Sequence, residues 1–141
     1  MKINGHSVEY RVYAEDPSRN FLPSIGFLTK YKEPEIHEHV RIDTGVQEGS
    51  EISMYYDPMI SKLITWAPDR AQAMDLLDKC FDQYVVQGVA HNIGFGKSII
   101  HNESFAAGDY TTAFIPDFYP EGYTGDILNC DQKRIVALAG H

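Results

Sequence analysis

Apolar and polar residues alternate from Ser7 to Glu15: Val8, Tyr10, Val12 and Ala14 fall on one side, and Ser7, Glu9, Arg11, Tyr13 and Glu15 on the other. Side chains along a strand point to opposite faces in turn, so the pattern predicts a strand with one face on a core and Arg11 on its polar face. Asp16-Pro17-Ser18-Arg19-Asn20 is turn chemistry, and Pro23-Ser24-Ile25-Gly26 is a second break. Phe27, Thr29 and Tyr31 alternate with Leu28 and Lys30 as a second strand. Pro34 then interrupts the chain before a third strand over residues 37–43, where Arg41 separates Val40 from Ile42. A fourth extended piece covers residues 51–55. Tyr55, Tyr56 and Asp57 crowd against Pro58, which has no backbone N–H and biases the residue before it away from the α region. The chain should turn there and enter a β-branched strand over 60–66, with Ile60, Lys62, Ile64 and Trp66 on one face and Ser61, Leu63 and Thr65 on the other. That strand reads as half-buried, with Lys62 either snorkelling or aimed at a partner.

The period changes at Asp69. Asp69 and Gln72 form a D-x-x-Q capping arrangement after Pro68, and Ala73, Leu76, Leu77, Cys80, Phe81 and Tyr84 recur at three- and four-residue spacings. This predicts an amphipathic helix with Asp75, Asp78, Lys79 and Asp82 outside its apolar face. Val85-Val86 returns to β character and Gly88 turns the chain. Asn92 is placed to cap a helix through Ile100, although Gly94 and Gly96 each cost it about 1 kcal/mol relative to alanine, which implies a start that is frayed or packed against a neighbour. A helical turn over 102–105, an extended segment over 110–115 and a small helix from Asp131 to Ala139 complete the expectation. Strands followed by packed helices make an α+β fold.

Composition narrows the partners. At 141 residues the chain fits one domain and can bury a real core. Its formal net charge of −8 argues against nucleic acid or an anionic membrane as partner, since both require a basic footprint. Cys80 and Cys130 are far apart and form no C-x-x-C pair, so a zinc ribbon or redox motif is excluded and reduced, intracellular thiols are expected. No apolar run approaches the roughly 18 residues of a membrane span, and the first residues have no signal-peptide pattern.

Several short patterns invite chemistry. Gly94-Phe95-Gly96-Lys97-Ser98 suggests a phosphate loop, but the full motif needs glycine where His91 stands, so a glycine-softened helix start is the better account. His37 and His39 share a strand face with Glu35, yet zinc would need a further protein ligand, and a solvated pair is favoured. Cys80 lies on the apolar helix face, where a thiol is inert. No serine occupies a G-x-S-x-G elbow. There remain Arg11 with Glu9, and the cluster of Tyr55, Tyr56, Asp57 and Lys62. Arg11 is either one half of a solvated ion pair worth well under 1 kcal/mol or a permanently charged guanidinium that stabilises an anion on a substrate.

Longer motifs bear on that choice. The runs I-N-G-H-S-V-E-Y-R-V-Y-A-E-D-P (3–17), L-P-S-I-G (22–26), V-R-I-D-T-G (40–45), Y-Y-D-P-M-I-S-K-L-I (55–64) and H-N-I (91–93) together resemble the C-terminal part of biotin carboxylases, in order and spacing, from Ile3 to about Tyr119. The tail D-F-Y-P-E-G-Y-T-G (117–125) is most similar to the propionyl-CoA carboxylase alpha-subunit branch of the acyl-CoA carboxylases.

The resemblance implies a biotin carboxylase C-terminal domain over residues 1–118 and a connector with a short helix over 119–141. It implies an enzyme that uses ATP and magnesium to activate bicarbonate and carboxylates biotin held on a separate carrier domain, with a carboxyltransferase beta subunit as partner and the mitochondrial matrix as location. Arg11 matches the arginine of the family's E-x-R-x-x-A-E-D motif, which faces the biotin ureido oxygen, and is implied to be catalytic. Tyr56 and Asp57 match residues bordering the same pocket, and Asp57 has a plausible part in orienting Arg11. Arg41 matches a dimer-contact position. The family's N-terminal and ATP-grasp domains, with its glycine-rich lid, metal-binding carboxylates and general base, have no counterpart in these 141 residues. The expectation is therefore a folded piece that is inactive and cofactor-free by itself, and whose uncovered apolar face self-associates. A structural or assembly role is the competing expectation.

Overall fold

The computed structural model describes residues 2–109 and 111–119. Nine strands and four α-helices follow one another along these residues. They are β1 (His6–Tyr13), β2 (Glu15–Asp16), β3 (Leu22–Pro23), β4 (Gly26–Phe27), β5 (Lys30–Lys32), β6 (Val40–Thr44), β7 (Glu51–Ile52), β8 (Met59–Ala67), α1 (Arg70–Gln83), β9 (Val85–Gln87), α2 (Ile93–Ile100), α3 (Glu103–Ala106) and α4 (Phe114–Phe118). The central sheet has the order β1-β8-β6, and β2-β3, β4-β7 and β5-β9 form two-stranded sheets, all antiparallel. The fold is α+β, as the sequence predicts.

β8 is central because it pairs along nearly its whole length, from His6↔Ala67 to Tyr13↔Met59 on one side and from Val40↔Thr65 to Thr44↔Ser61 on the other. Its core-facing side is the one with Ser61, Leu63 and Thr65. The two hydroxyls are tolerated there because both are satisfied: Thr65 donates to the Ala73 carbonyl at 2.9 Å, and Ser61 Oγ lies 2.5 Å from the Tyr84 hydroxyl. Lys62, Ile64 and Trp66 take the outer face, half-buried, whereas Ile60, expected beside them, is buried in the core where the β1–β8 register shifts.

α1 lies on the inner face and behaves as its pattern requires. Asp69 caps it by accepting from the Gln72 N–H at 2.8 Å, and Ala73, Met74, Leu77, Cys80 and Phe81 are buried. Met74, Leu77, Cys80 and Phe81 join Val12, Leu28, Ile60 and Leu63 in one core, where full burial of each large aliphatic side chain contributes about 1.5–3 kcal/mol. Val85–Gln87 then returns the chain to the sheet by pairing with β5. Gly88 makes the turn at φ +105°, where a Cβ would lie 2.0 Å from the Phe27 carbonyl oxygen.

Other expectations change too. The second strand divides into β4 and β5 because Leu28 turns fully into the core, sending its N–H to Ser50 and that of Thr29 to Gln87. The fourth strand ends at Ile52, since the Ser53 hydroxyl accepts from the Tyr55 N–H at 3.1 Å and turns the chain early. Residues 111–115 are not extended: the Thr111 hydroxyl accepts from the Ala113 N–H, and α4 follows with Pro116 in its first turn, where a missing N–H costs nothing. Asn92 stands at the start of α2, but its side chain makes no capping bond. Tyr110, Cys130 and the helix expected from Asp131 lie outside the described residues.

Gly96 of α2 is explained by packing. A Cβ on Gly96 would lie 2.5 Å from Cζ of Tyr10, so glycine lets the helix approach the β1 aromatic closely. Lys97 is not free to meet a phosphate: it pairs with Asp82 and, at 3.6 Å, with Asp78, and these carboxylates raise its pKa, the hydrogen bond to Asp82 most.

Candidate functional site on the outer face of the central sheet

Alternation along β1 puts Glu9 and Arg11 on the outer face, and the sheet register completes two rows there. One row is Glu9–Ile64–Arg41, and the other is Arg11–Lys62–Asp43. Neighbouring strands are about 4.8 Å apart, so each row places its charges on one surface flanking a β8 side chain.

Arg11 is exposed, and its Nε donates to Glu9 Oε1 at 3.0 Å. Hydrogen bonds to Glu9 first, and to Tyr13 second, push its pKa further up, so the charge is permanent at any working pH. Arg41 is likewise exposed and donates from Nε to Asp43 Oδ1 at 3.0 Å. Both pairs are i, i+2 on one strand face, which is the spacing the sequence shows.

Tyr55 and Tyr56 stand out from the turn before β8 at 84% and 79% exposure. Asp57 closes that turn by accepting from the Met59 N–H at 2.9 Å, and the Pro58 carbonyl accepts from the Ala14 N–H at 2.9 Å. The turn is thus tied to the end of β1, a few residues from Arg11. Arg11 and Asp57 share no hydrogen bond; the carboxylate that fixes the guanidinium is Glu9. Beside the tyrosines a hollow of ≈ 260 Å³ is lined by Ile25, Gly26, Ile52, Met54 and Tyr55.

The histidine pair is structural in character: His39 stacks on Trp66 with ring centroids 5.1 Å apart, and His37 bridges to Val40. Among the described residues no group of three or more His, Cys, Asp or Glu is placed to hold a metal ion, and no helix is long and apolar enough to cross a membrane. Cys80 is buried and free, with its thiol pKa pushed up by burial.

One residue that contacts the backbone of Arg11 has little sequence signal. Asn92 is buried and binds the backbone on both sides of Arg11's neighbour Val12: its Nδ2 donates to the Arg11 carbonyl at 3.1 Å and its Oδ1 accepts from the Tyr13 N–H at 2.9 Å. A polar residue at a helix start reads most simply as a cap, and nothing in spacing links it to a strand about 80 residues earlier.

A strand-borne guanidinium fixed by a carboxylate, on an α+β domain of this topology, can be set against known proteins. The profile of the biotin carboxylase C-terminal domain matches residues 9–117, and the chain belongs to that family. Over 141 residues it is 49% identical to the mitochondrial propionyl-CoA carboxylase alpha chain of Homo sapiens and 48% identical to that of Caenorhabditis briggsae, covering 99% of this chain and 19% of each relative. The propionyl-CoA carboxylase alpha chain of Ruegeria pomeroyi is 44% identical over 159 residues, covering 99% of this chain and 23% of the relative. The chain therefore spans about a fifth of the length of these relatives. Among solved structures, the biotin carboxylase domain of the Hydrogenobacter thermophilus 2-oxoglutarate carboxylase, in complex with MgADP, ADP and bicarbonate, superposes with a TM-score of 0.82 at 33% identity, covering 92% of this chain and 28% of that one. The biotin carboxylase subunit of a pyruvate carboxylase gives 0.80 at 36%, covering 86% and 26%.

Proposed function

We propose that this chain is the C-terminal domain of the biotin carboxylase component of an acyl-CoA carboxylase of the propionyl-CoA carboxylase alpha type, located in the mitochondrial matrix. It forms one wall of the site where biotin on a separate carrier domain is carboxylated at the expense of ATP. The observation that carries this reading is the outer-face guanidinium of Arg11, permanently charged and oriented by Glu9 rather than neutralised by burial.

Biotin supplies the ureido nitrogen that takes up the carboxyl group. Arg11 donates hydrogen bonds to the ureido oxygen and stabilises the negative charge that develops there, a role in which one fixed donor is worth roughly 10²–10³ in rate. Tyr56 and Asp57 border the same space. Domain 1–118 does this work, and 119–141 connects it to the next region of the longer polypeptide. Nucleotide and magnesium belong to the N-terminal and ATP-grasp portions of that polypeptide, and the carboxyltransferase beta subunit takes the product onward. The domain alone binds no cofactor and has no activity.

A second reading is favoured by Arg41 and by the exposed Leu22, Ile25, Phe27, Met54 and Tyr55, which suit a surface that holds domains or subunits together. ATP-dependent carboxylation of free biotin, measured on the chain alone and after mixing with a separately expressed N-terminal portion, tests the first. Activity only in the mixture supports it; binding without activity supports assembly.

A further inference from the structure

β1 is an edge strand. β8 pairs with one side of it, and no described strand lies on the other. Backbone groups of Arg11 and Tyr13 that point to that open edge go to one residue. Asn92 Nδ2 donates to the Arg11 carbonyl at 3.1 Å, Asn92 Oδ1 accepts from the Tyr13 N–H at 2.9 Å, and the Asn92 backbone N–H donates to the Tyr13 carbonyl at 3.3 Å. A primary amide offers a donor and an acceptor in one plane, like a peptide group. The side chain therefore stands in for a neighbouring strand at this one place.

The place matters because the ladder is irregular there. Val12 pairs with Ser61 and Tyr13 with Met59, so Ile60 is an extra residue in β8 and the register shifts one residue after Arg11. Such bulges bend the strand and re-aim side chains. Asn92 is itself immobilised: it is 5% exposed, and its carbonyl accepts from the Tyr10 hydroxyl at 2.5 Å and from the Gly96 N–H at 3.0 Å. It makes no side-chain bond to α2, so its amide serves the strand and not the helix.

We propose that Asn92 is a positioning residue for Arg11, clamping the open edge of β1 at the bulge so that the guanidinium is presented in one orientation. This rests on the reading that Arg11 acts on the ureido oxygen. Asn92→Asp keeps the acceptor for Tyr13 and removes the donor to Arg11; Asn92→Ser removes the reach of both and serves if the first variant does not fold.

The test uses the full-length subunit with its partner. Asn92→Asp should lower kcat for biotin carboxylation roughly ten- to a hundredfold, the scale of a small misplacement of a catalytic group, with KM for ATP within about twofold, because the clamp touches no nucleotide-binding group. In an Arg11→Ala background the same substitution should cost nothing further. In the unsubstituted protein the Tyr13 amide should exchange slowly with deuterium; Asn92→Asp, which keeps its acceptor, should leave it slow, and Asn92→Ser, which removes the acceptor, should make it fast. An equal loss in both backgrounds would show that Asn92 acts elsewhere, and a native kcat in both Asn92 variants, or a Tyr13 amide exchanging at solvent rate in the unsubstituted protein, would remove the clamp. Native kcat in Arg11→Ala would instead overturn the reading of Arg11 itself, and the proposal with it.

Discussion

Glu9 holds Arg11 by its Nε proton and Tyr13 adds a second contact, which leaves most of the guanidinium's five donors for an anion. Exchange of Glu9 for glutamine should keep the charge and loosen its aim, and isothermal titration of a carboxylate or urea-like probe would register weaker binding without a change in stoichiometry. Behind the same sheet, the Tyr84 hydroxyl lies 2.5 Å from Ser61 Oγ and 2.8 Å from the Tyr31 hydroxyl, and burial pushes its pKa well up so that it stays neutral. Tyr84→Phe should leave Ser61 without a partner in the core and cost about 1–3 kcal/mol in urea unfolding. His91 contributes to the acid limb. Burial lowers its pKa, so below about 6.5 the unfolded chain takes up a proton that the folded chain refuses, and stability falls as the pH is lowered. His91→Gln should flatten that part of the stability profile. The i, i+2 pair Glu9–Arg11 was legible in the alternation, whereas the Asn92 clamp was not, because its partners are distant in sequence and of backbone origin.

Among elements, β8 and α1 follow from their patterns almost without correction, because each has a long run with one period. The short strands do not. β4 and β7 have two residues each, and a long-range hydrogen bond from Leu28 to Ser50 and a local one from Tyr55 to Ser53 decide where they stop. α2 shows how packing overrides propensity. Alanine at Gly96 gains about 1 kcal/mol of helix propensity, but its Cβ would overlap a Tyr10 ring held by Asn92 and by Phe81, whose ring centroid is 5.0 Å away. Gly96→Ala should therefore destabilise by about 1–3 kcal/mol as overpacking does, lowering Tm in calorimetry. Since the displaced ring belongs to β1, the variant should also reduce any activity that depends on Arg11.

For the whole molecule, Leu22, Ile25, Phe27, Met54, Tyr55 and Tyr56 are large apolar side chains left exposed, and Ile25, Met54 and Tyr55 line one hollow. The isolated chain should self-associate, and sedimentation velocity over a hundredfold concentration range should show a rising weight-average mass; a monomer throughout would contradict this. The family and its α+β architecture were legible because several motifs keep their order over most of the chain, while the arrangement of the outer face required the register of three strands. The central claim, that this face contributes a charge-stabilising guanidinium to biotin carboxylation, is tested most directly by Arg11→Ala in the full-length subunit, with assembly followed on the same preparation. The expected result is a fall in biotin carboxylation of roughly 10²–10³ with normal assembly. Native carboxylation, or loss of activity that tracks a loss of assembly, would contradict it.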